Sequence, residues 1–314
     1  MDRTINYSII IPHYNIPDLL DRCIRSIPER DDVQIIVVDD NSPNSDNYKE
    51  RVISLQRNDV EYYKTPKNSG GGAARNIGIR NVRGRKILFA DADDFFVEDI
   101  NDILNQYVED PADIIYFNTR GVLSDDVSKE TNRNKRELFD KYFETGDINI
   151  VKKEYTEPWG KIYNSNLIKL RDIYFDETIV ANDVMFSLKA SFFAESVKVI
   201  DRPIYVVTMR KDSVSYLSID TMEKLLVRID VTSRAQLFLQ ENGIYSNPML
   251  VFDLMTNLIH RDFFKFVKQI VVLHRRGIPV CKLLYQIFTL RVLSPKNRRH
   301  VNVVESPYKR KANE

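Results

Sequence analysis

The stretch Lys86-Ile-Leu-Phe-Ala-Asp-Ala-Asp-Asp94 passes abruptly from an apolar run to three carboxylates. Residues 87–90 form a continuous apolar segment, which is typical of a strand covered on both faces in a parallel sheet. Ligand sites in such sheets lie outside the carboxyl ends of the strands. Asp91, Asp93 and Asp94 are therefore candidates for holding a divalent cation and a sugar hydroxyl. The alternative is a solvated acidic turn in which Asp94 caps a following helix.

The composition indicates an ordinary globular protein. The chain has 314 residues, 43% of them hydrophobic and 29% charged, enough for two domains or one domain with an appendage. The start lacks the pattern of a signal peptide, and no apolar run approaches the roughly 20 residues that span a bilayer. Cys23 and Cys281 are far apart and the four histidines are scattered, so neither disulfides nor a Cys/His metal centre is indicated. We therefore expect a cytoplasmic protein.

Strand and helix patterns alternate along the first half of the chain. Apolar segments at residues 7–11, 33–38, 60–64 and 86–90 are separated by helical patterns, which predicts a doubly wound, mostly parallel α/β sheet. The glycine-rich residues 68–72 are predicted to be irregular, and two short strands are predicted at 197–200 and 204–208. A catalytic domain over 1–216 is then followed by a helical, basic region over 217–314. Its first helix is predicted to begin with a capping box of Asp220 and Glu223.

The ends of three predicted strands are expected to meet at one rim of the sheet. Asp40 follows the second strand and is able to accept a hydrogen bond from a base or a ribose; the alternative is a residue that stabilises the turn. Gly70 to Gly72 lead into a helix carrying Arg75, where free amides and a cation suit phosphate oxygens. The alternative there is a flexible loop. The spacing is not that of a Walker loop or a dinucleotide fingerprint, which argues against ATP and NAD.

Four ordered motifs at these strand ends resemble family 2 glycosyltransferases with the A-type nucleotide-sugar fold, over roughly residues 5–215. The motifs are Ser-Ile-Ile-Ile-Pro-His-Tyr-Asn (8–15), Ile-Val-Val-Asp-Asp-Asn-Ser (36–42), Gly-Ala-Ala-Arg-Asn-Ile-Gly (72–78) and Phe-Ala-Asp-Ala-Asp-Asp (89–94). Pro-Trp-Gly-Lys-Ile-Tyr (158–163) and Asn-Asp-Val-Met-Phe (182–186) extend the resemblance. The last motif usually carries an acidic pair. Asn182 replaces the first acid here, which leaves Asp183 as the candidate base.

The resemblance implies a role for each matching residue. For the UDP-sugar donor, it implies Pro12, Tyr14 and Asp40 around the uracil, Arg75 at the uracil or diphosphate, and Asp91 at the ribose or donor sugar. Asp93 is implied as ligand to Mn²⁺ or Mg²⁺. On the acceptor side, the resemblance implies Trp159 beneath the acceptor sugar and Asp183 as catalytic base. Core packing is the alternative for Trp159. Arg210, Lys211 and Ser213 resemble a loop that closes over the diphosphate, with a solvated loop as the alternative.

The chemistry of sugar transfer accounts for this set of residues. Displacing a nucleoside diphosphate needs a cation for the departing charge, and a carboxylate must take the proton of the incoming hydroxyl. One base without a carboxylate nucleophile predicts in-line attack with inversion. We thus predict an inverting, metal-dependent glycosyltransferase that extends a bacterial surface glycan such as capsule or lipopolysaccharide. The rival functions are a sugar nucleotidyltransferase and a sugar-nucleotide-binding protein without transfer activity.

The end of the chain is strongly basic. From Arg261 onward it holds 13 Lys or Arg against 3 Asp or Glu. Apolar residues at 263, 264, 267, 270 and 271 share one helical face, interspersed with Lys265 and Lys268. This pattern predicts peripheral binding to an anionic membrane, where lipid-linked glycan acceptors lie. The alternative is a helical subdomain packed on the catalytic domain, and nucleic-acid binding is disfavoured because no recognition module accompanies the charge.

Overall fold

The chain forms two compact units, Met1–Ser213 and Val214–Glu314, and each has its own hydrophobic core. The computed structural model describes residues 4–54, 57–210, 221–244, 249–281 and 284. The predicted domain boundary at residue 216 lies within 211–220, outside the described residues, and so do Lys211 and Ser213 of the predicted closing loop.

The first unit carries all the strands that the structure describes. In chain order its elements are β1 (Tyr7–His13), α1 (Pro17–Arg25), β2 (Val33–Asp39), α2 (Ser45–Ser54), β3 (Val60–Lys64), α3 (Gly71–Arg80), β4 (Lys86–Phe89), β5 (Phe95–Phe96), α4 (Ile100–Tyr107), β6 (Ile114–Leu123), α5 (Arg136–Thr145), α6 (Ile148–Glu154), β7 (Lys161–Asn164), α7 (Ser165–Leu170), α8 (Val184–Phe193) and β8 (Val197–Met209). The second unit contains α9 (Met222–Glu241), α10 (Met249–Arg261) and α11 (Phe263–Arg275).

Within the described residues, eight strands form one sheet in the order β3-β2-β1-β4-β7-β6-β8-β5. β3, β2, β1 and β4 run parallel, and β7 is antiparallel to both β4 and β6. β8 is parallel to β6, while β5 is antiparallel to β8. The predicted α/β class with C-terminal helices is confirmed. The sheet is parallel where the first motifs lie and mixed in its second half.

The carboxyl ends of β1, β2 and β4 meet at one rim of the sheet, as the sequence predicts. The amide of Asp40 donates to the carbonyl of His13 at 2.8 Å, and the amide of Ala90 donates to the carbonyl of Ile10 at 3.0 Å. These strands are continuous apolar runs because both faces of the sheet are covered. The rim therefore collects the polar residues that follow each strand.

The prediction of an irregular segment at 68–72 is wrong for Gly71 and Gly72, which form the first turn of α3. A Cβ atom on Gly72 would lie 2.1 Å from the carbonyl oxygen of Asp176, so this position requires the absence of a side chain. Of the three consecutive glycines at 70–72, only Gly70, with φ of 86°, has a positive φ angle. The glycines thus bring α3 close to the neighbouring backbone, and the alternative of a flexible loop does not describe them.

The two short strands predicted at 197–200 and 204–208 form one strand, β8. The pairing register with β6 shifts at Asn118, whose partner is Pro203. Proline has no amide hydrogen to donate, and a bulge accommodates it without ending the strand. β8 therefore runs on to Met209 and delivers Thr208 and Arg210 to the site rim.

The second unit is built from α9, α10 and α11. Of the predicted capping box, Asp220 lies outside the described residues; the observed cap is Thr221, whose side chain accepts from the amide of Lys224 at 3.2 Å. The buried core of the unit includes Leu225, Ile229, Met255, Leu258, Phe266 and Leu273. None of the helices in the described residues is long and apolar enough to cross a membrane.

Candidate active site

The acidic turn after β4 is tightly closed. The amide of Asp94 donates to the carbonyl of Asp91 at 3.0 Å. Carboxylate oxygens of Asp91, Asp93 and Asp94 lie within 4.8 Å of one another. Hard oxygen ligands at this spacing suit Mg²⁺ or Mn²⁺.

Asp94 is a buried anchor for β8. Its carboxylate accepts from the amide of Thr208 at 2.7 Å. Burial, followed by the charges of Asp93 and Asp91, raises the pKa of the Asp94 carboxyl well above its ordinary value. The alternative of a helix cap is wrong, because β5 follows directly and α4 begins after Asp99.

Asp93 presents its side chain towards Arg210 and is held by its backbone. Its carbonyl accepts from Arg22 Nη2 at 2.5 Å and from Thr208 Oγ1 at 2.7 Å. Its carboxylate accepts from Arg210 Nε at 3.2 Å. Burial and the nearby Asp91 charge raise the pKa of the Asp93 carboxyl. The clustered carboxylates of Asp91, Asp93 and Asp94, with the Arg210 guanidinium beside them, show that this place favours positive charge. The residues present therefore suit a divalent cation.

Arg75 links the acidic turn to the segment before α8. Its side chain is buried, and its guanidinium forms an ion pair with Asp91 through Nη2. Nη1 donates to Asn182 Oδ1 at 3.1 Å. The amide substituted for the usual acid at position 182 thus accepts a hydrogen bond without adding a second negative charge to this arginine.

Asp183 directly precedes α8 and makes no capping hydrogen bond with its side chain. Ala181, two residues earlier, has φ of 55°, which is unusual for a residue with a Cβ. Burial raises the pKa of the Asp183 carboxyl to about 6, and the Arg75 charge opposes that shift. A carboxylate with such a pKa is well suited to accept a proton near neutral pH.

Asp40 holds the loop that leads into α3. Its carboxylate accepts from Thr65 Oγ1 at 2.9 Å, from the amide of Ser69 at 2.9 Å and from the amide of Gly70 at 2.6 Å. The turn-stabilising alternative does not describe these contacts, because each donor lies 25 or more positions along the chain from Asp40. The turn after β2 is held by Asp39 instead, whose carboxylate accepts from the amide of Ser42 at 2.8 Å. Tyr14 is 46% exposed at the same rim, next to the partly buried Pro12. The roles of the three residues towards a base stay predictions.

Trp159 is packed into the core of the first unit and is only 9% exposed. Its ring stacks on Tyr205, with centroids 5.7 Å apart and an interplanar angle of 19°. The core-packing alternative accounts for these contacts, and a role beneath an acceptor sugar stays a prediction.

Tyr205 and Arg22 are site residues that the sequence does not reveal. Tyr205 Oη accepts from the amide of Asp91 at 2.7 Å while its ring packs on Trp159. Arg22 reaches the carbonyl of Asp93 from α1. Each contact joins residues 71 or more positions apart, so no local motif marks it.

The fold and this rim define an α/β protein of the A-type glycosyltransferase fold. The model of glycosyl transferase family 2 matches residues 8–168, just over half of the chain, and the chain belongs to that family.

Its relatives are bacterial glycosyltransferases. The chain is 26% identical over 225 residues to glycosyltransferase GlyA of Streptococcus pneumoniae, covering 66% of this chain and 31% of that protein. It is 27% identical over 220 residues to poly(ribitol-phosphate) β-N-acetylglucosaminyltransferase TarS of Staphylococcus aureus, covering 66% and 36%. The chain therefore spans about a third of the length of these relatives.

Solved structures share the fold. TarS residues 1–349 of S. aureus superpose with a TM-score of 0.55 at 22% identity, covering 81% of this chain and 80% of that one. The TarS complex with UDP-GlcNAc also gives 0.55, at 21% identity and 81% coverage of both chains. Mannosyltransferase PcManGT of Pyrobaculum calidifontis, in complex with GDP-Man and Mn²⁺, gives 0.52 at 14% identity, covering 94% and 82%.

Proposed function

We propose that this chain is an inverting, metal-dependent glycosyltransferase that moves a sugar from a UDP donor to a hydroxyl of a surface-glycan acceptor. The observation that carries the proposal is the connection, through Arg75, of the carboxylate turn at Asp91 to the segment that bears Asp183. Membership of glycosyl transferase family 2 and a fold shared with TarS bound to UDP-GlcNAc support it.

Donor binding is assigned to the rim of β1, β2 and β4. Pro12, Tyr14 and Asp40 surround the uracil, and the exposed ring of Tyr14 offers a face for stacking. Arg75 approaches the uracil or the diphosphate with its fixed positive charge. Asp91 faces the ribose or the donor sugar, since its carboxylate retains acceptor sites beside the contact with Arg75.

Asp93 is assigned as the metal ligand, with Asp91 beside it. A bound Mn²⁺ or Mg²⁺ supplies charge stabilisation for the departing diphosphate. Asp94 positions the backbone around this site, because its carboxylate accepts the hydrogen bond from the amide of Thr208. The guanidinium of Arg210, paired with the Asp93 carboxylate, adds a positive charge to that of the metal ion beside the diphosphate.

The acceptor hydroxyl is assigned to the side of Asp183. Its oxygen attacks the anomeric carbon as the bond from that carbon to the diphosphate oxygen breaks, UDP leaves, and the hydroxyl proton passes to the Asp183 carboxylate. A single displacement of this kind inverts the anomeric carbon. Asn182 positions Arg75 beside the reacting groups, and Trp159 supports the acceptor sugar from the packed core.

The rate of transfer is expected to depend on pH through Asp183. The base acts only when it is ionised, and burial raises its pKa to about 6. Transfer should therefore be maximal above that pH and fall about tenfold for each unit below it. A kcat/KM profile measured with UDP-sugar and acceptor checks this, with Mn²⁺ binding followed over the same range as a control. A flat profile where Mn²⁺ stays bound would contradict the assignment.

A panel of UDP-sugars incubated with the purified chain and Mn²⁺ tests the proposed reaction. We expect release of UDP from one donor, faster when an acceptor is supplied. Formation of a UDP-sugar from UTP and a sugar phosphate would instead indicate a nucleotidyltransferase. Donor binding without UDP release at any Mn²⁺ or acceptor concentration would indicate a binding protein without transfer activity.

We also propose that the enzyme works in the cytoplasm, peripherally on the inner face of the cell membrane, on a glycan or lipid-linked glycan. The basic C-terminal region supports this location. The acceptor named for the TarS relative, poly(ribitol-phosphate), supports a surface polymer as the acceptor class. Capsule and lipopolysaccharide are the corresponding glycans.

A further inference from the structure

Helix α11 has two apolar faces. Phe266 and Leu273 are buried in the core of the second unit, so one face of this helix packs within that unit. Phe264 is 85% exposed, and Val267 and Val271 are 45% and 46% exposed. Residues 264, 267 and 271 follow the three- and four-residue spacing of one helical surface. The packed face therefore leaves an apolar stripe on the opposite side.

Two cations share this exposed surface. Lys268 lies one turn after Phe264, and Arg275 lies one turn after Val271; both are exposed. α11 contains no acidic residue. Among the described residues, no acid pairs with Lys268 or Arg275, whereas Lys265 is 3.4 Å from Asp262. We call the set Phe264, Val267, Lys268, Val271 and Arg275 the α11 face.

We propose that the α11 face binds an anionic membrane surface; this rests on the proposed function, in which the enzyme works at the membrane on a glycan or lipid-linked glycan. Charge complementarity selects this occupant. Two copies of the chain pairing through the face would bring cations against cations without an acid to offset them. Lipid headgroups supply the missing negative charge, and long Lys and Arg side chains reach headgroups while apolar neighbours enter the acyl boundary.

The length of the helix agrees with binding parallel to the surface. Its 13 residues extend about 20 Å, which is short of the ~30 Å hydrocarbon core of a bilayer. The exposed apolar side chains would lie in the interfacial layer, with Lys268 and Arg275 at the level of phosphate groups. The candidate active site then lies in the first compact unit, and the α11 face lies in the second.

Co-sedimentation of the full chain with vesicles tests the proposal. Phosphatidylcholine vesicles are compared with vesicles that also contain phosphatidylglycerol. We expect binding to the anionic vesicles and little to the neutral ones. Phe264→Ser should weaken binding about tenfold, and the double variant Lys268→Ala with Arg275→Ala roughly 30-fold. Leu170→Ser, at a residue 81% exposed on α7, is the matched control and should bind like the wild type.

Release of UDP from the donor is measured on the same preparations. Absence of vesicle binding by a chain that releases UDP would overturn the membrane proposal and leave the glycosyltransferase proposal standing. Equal binding to both vesicle types would overturn the role of anionic lipid. A concentration-dependent dimer that Phe264→Ser abolishes, seen by sedimentation velocity, would identify a second copy of the chain as the occupant and equally overturn it.

Discussion

Asp183→Asn is expected to lower sugar transfer by about 10² to 10⁴, the range associated with loss of a general base. The amide occupies nearly the same volume as the carboxylate but accepts no proton near neutral pH. Asp183 makes no capping hydrogen bond with its side chain, so α8 should still form. Steady-state kinetics measures the loss of transfer, and isothermal titration with UDP-sugar measures donor affinity. We expect kcat to fall while donor affinity is kept.

Asp172→Asn is the matched control for this experiment. Asp172 is exposed in a turn with φ of 49°, a conformation that asparagine also adopts readily. The control should transfer sugar like the wild type. Near wild-type turnover by the Asp183→Asn enzyme would show that another group takes the proton. Loss of donor binding together with turnover would show a structural role for Asp183 instead.

Asp93→Asn is expected to remove metal-dependent activity. Loss of the ligand should slow UDP release by about 10² or more, the equivalent of several kcal/mol of charge stabilisation. The contacts of Arg22 and Thr208 to residue 93 use its backbone carbonyl, so the substitution leaves them in place. Paramagnetic resonance of free Mn²⁺ measures the affinity directly, and we expect tight binding to disappear along with the activity.

Glu98→Gln, at an exposed position after β5, is the control with the same loss of one negative charge. It should keep both Mn²⁺ binding and turnover. Unchanged Mn²⁺ affinity in the Asp93→Asn chain would move the metal ligand to Asp91 or another residue. Unchanged turnover in the presence of a chelator, for the wild type itself, would contradict the metal requirement.

The sequence alone determined that the residues directly after the first parallel strands meet at the site rim. Long apolar runs specify strands covered on both faces, and parallel strands bring the residues after their carboxyl ends to a common edge. This is why Asp40, Asp91 and Asp93 were predictable from their positions after such runs. Arg75 was predictable too, because a glycine-rich entry to a helix is visible in consecutive residues. The family resemblance assigned a role to Asp183, and the structure places that residue at the start of α8.

Only the tertiary structure decided how these residues are held and which neighbours they have. Asp94 bonds Thr208, Asp91 bonds Tyr205, and Arg75 bonds Asn182, across 114, 114 and 107 positions. Such contacts depend on the order of strands in the sheet. Residues that follow one another encode burial and local conformation, whereas the partner of a buried polar group is set by the elements packed against it.

The same distinction explains the predictions that failed. Gly72 was predicted to be irregular, but it lies in the first turn of α3. The closeness of Asp176, which no neighbouring residue signals, is what excludes a side chain there. Two short strands were predicted at 197–200 and 204–208, but a bulge opposite β6 lets a single strand, β8, continue to the site. Sequence patterns report the local conformation and burial that each segment favours. The packing of distant segments decided whether that preference prevailed.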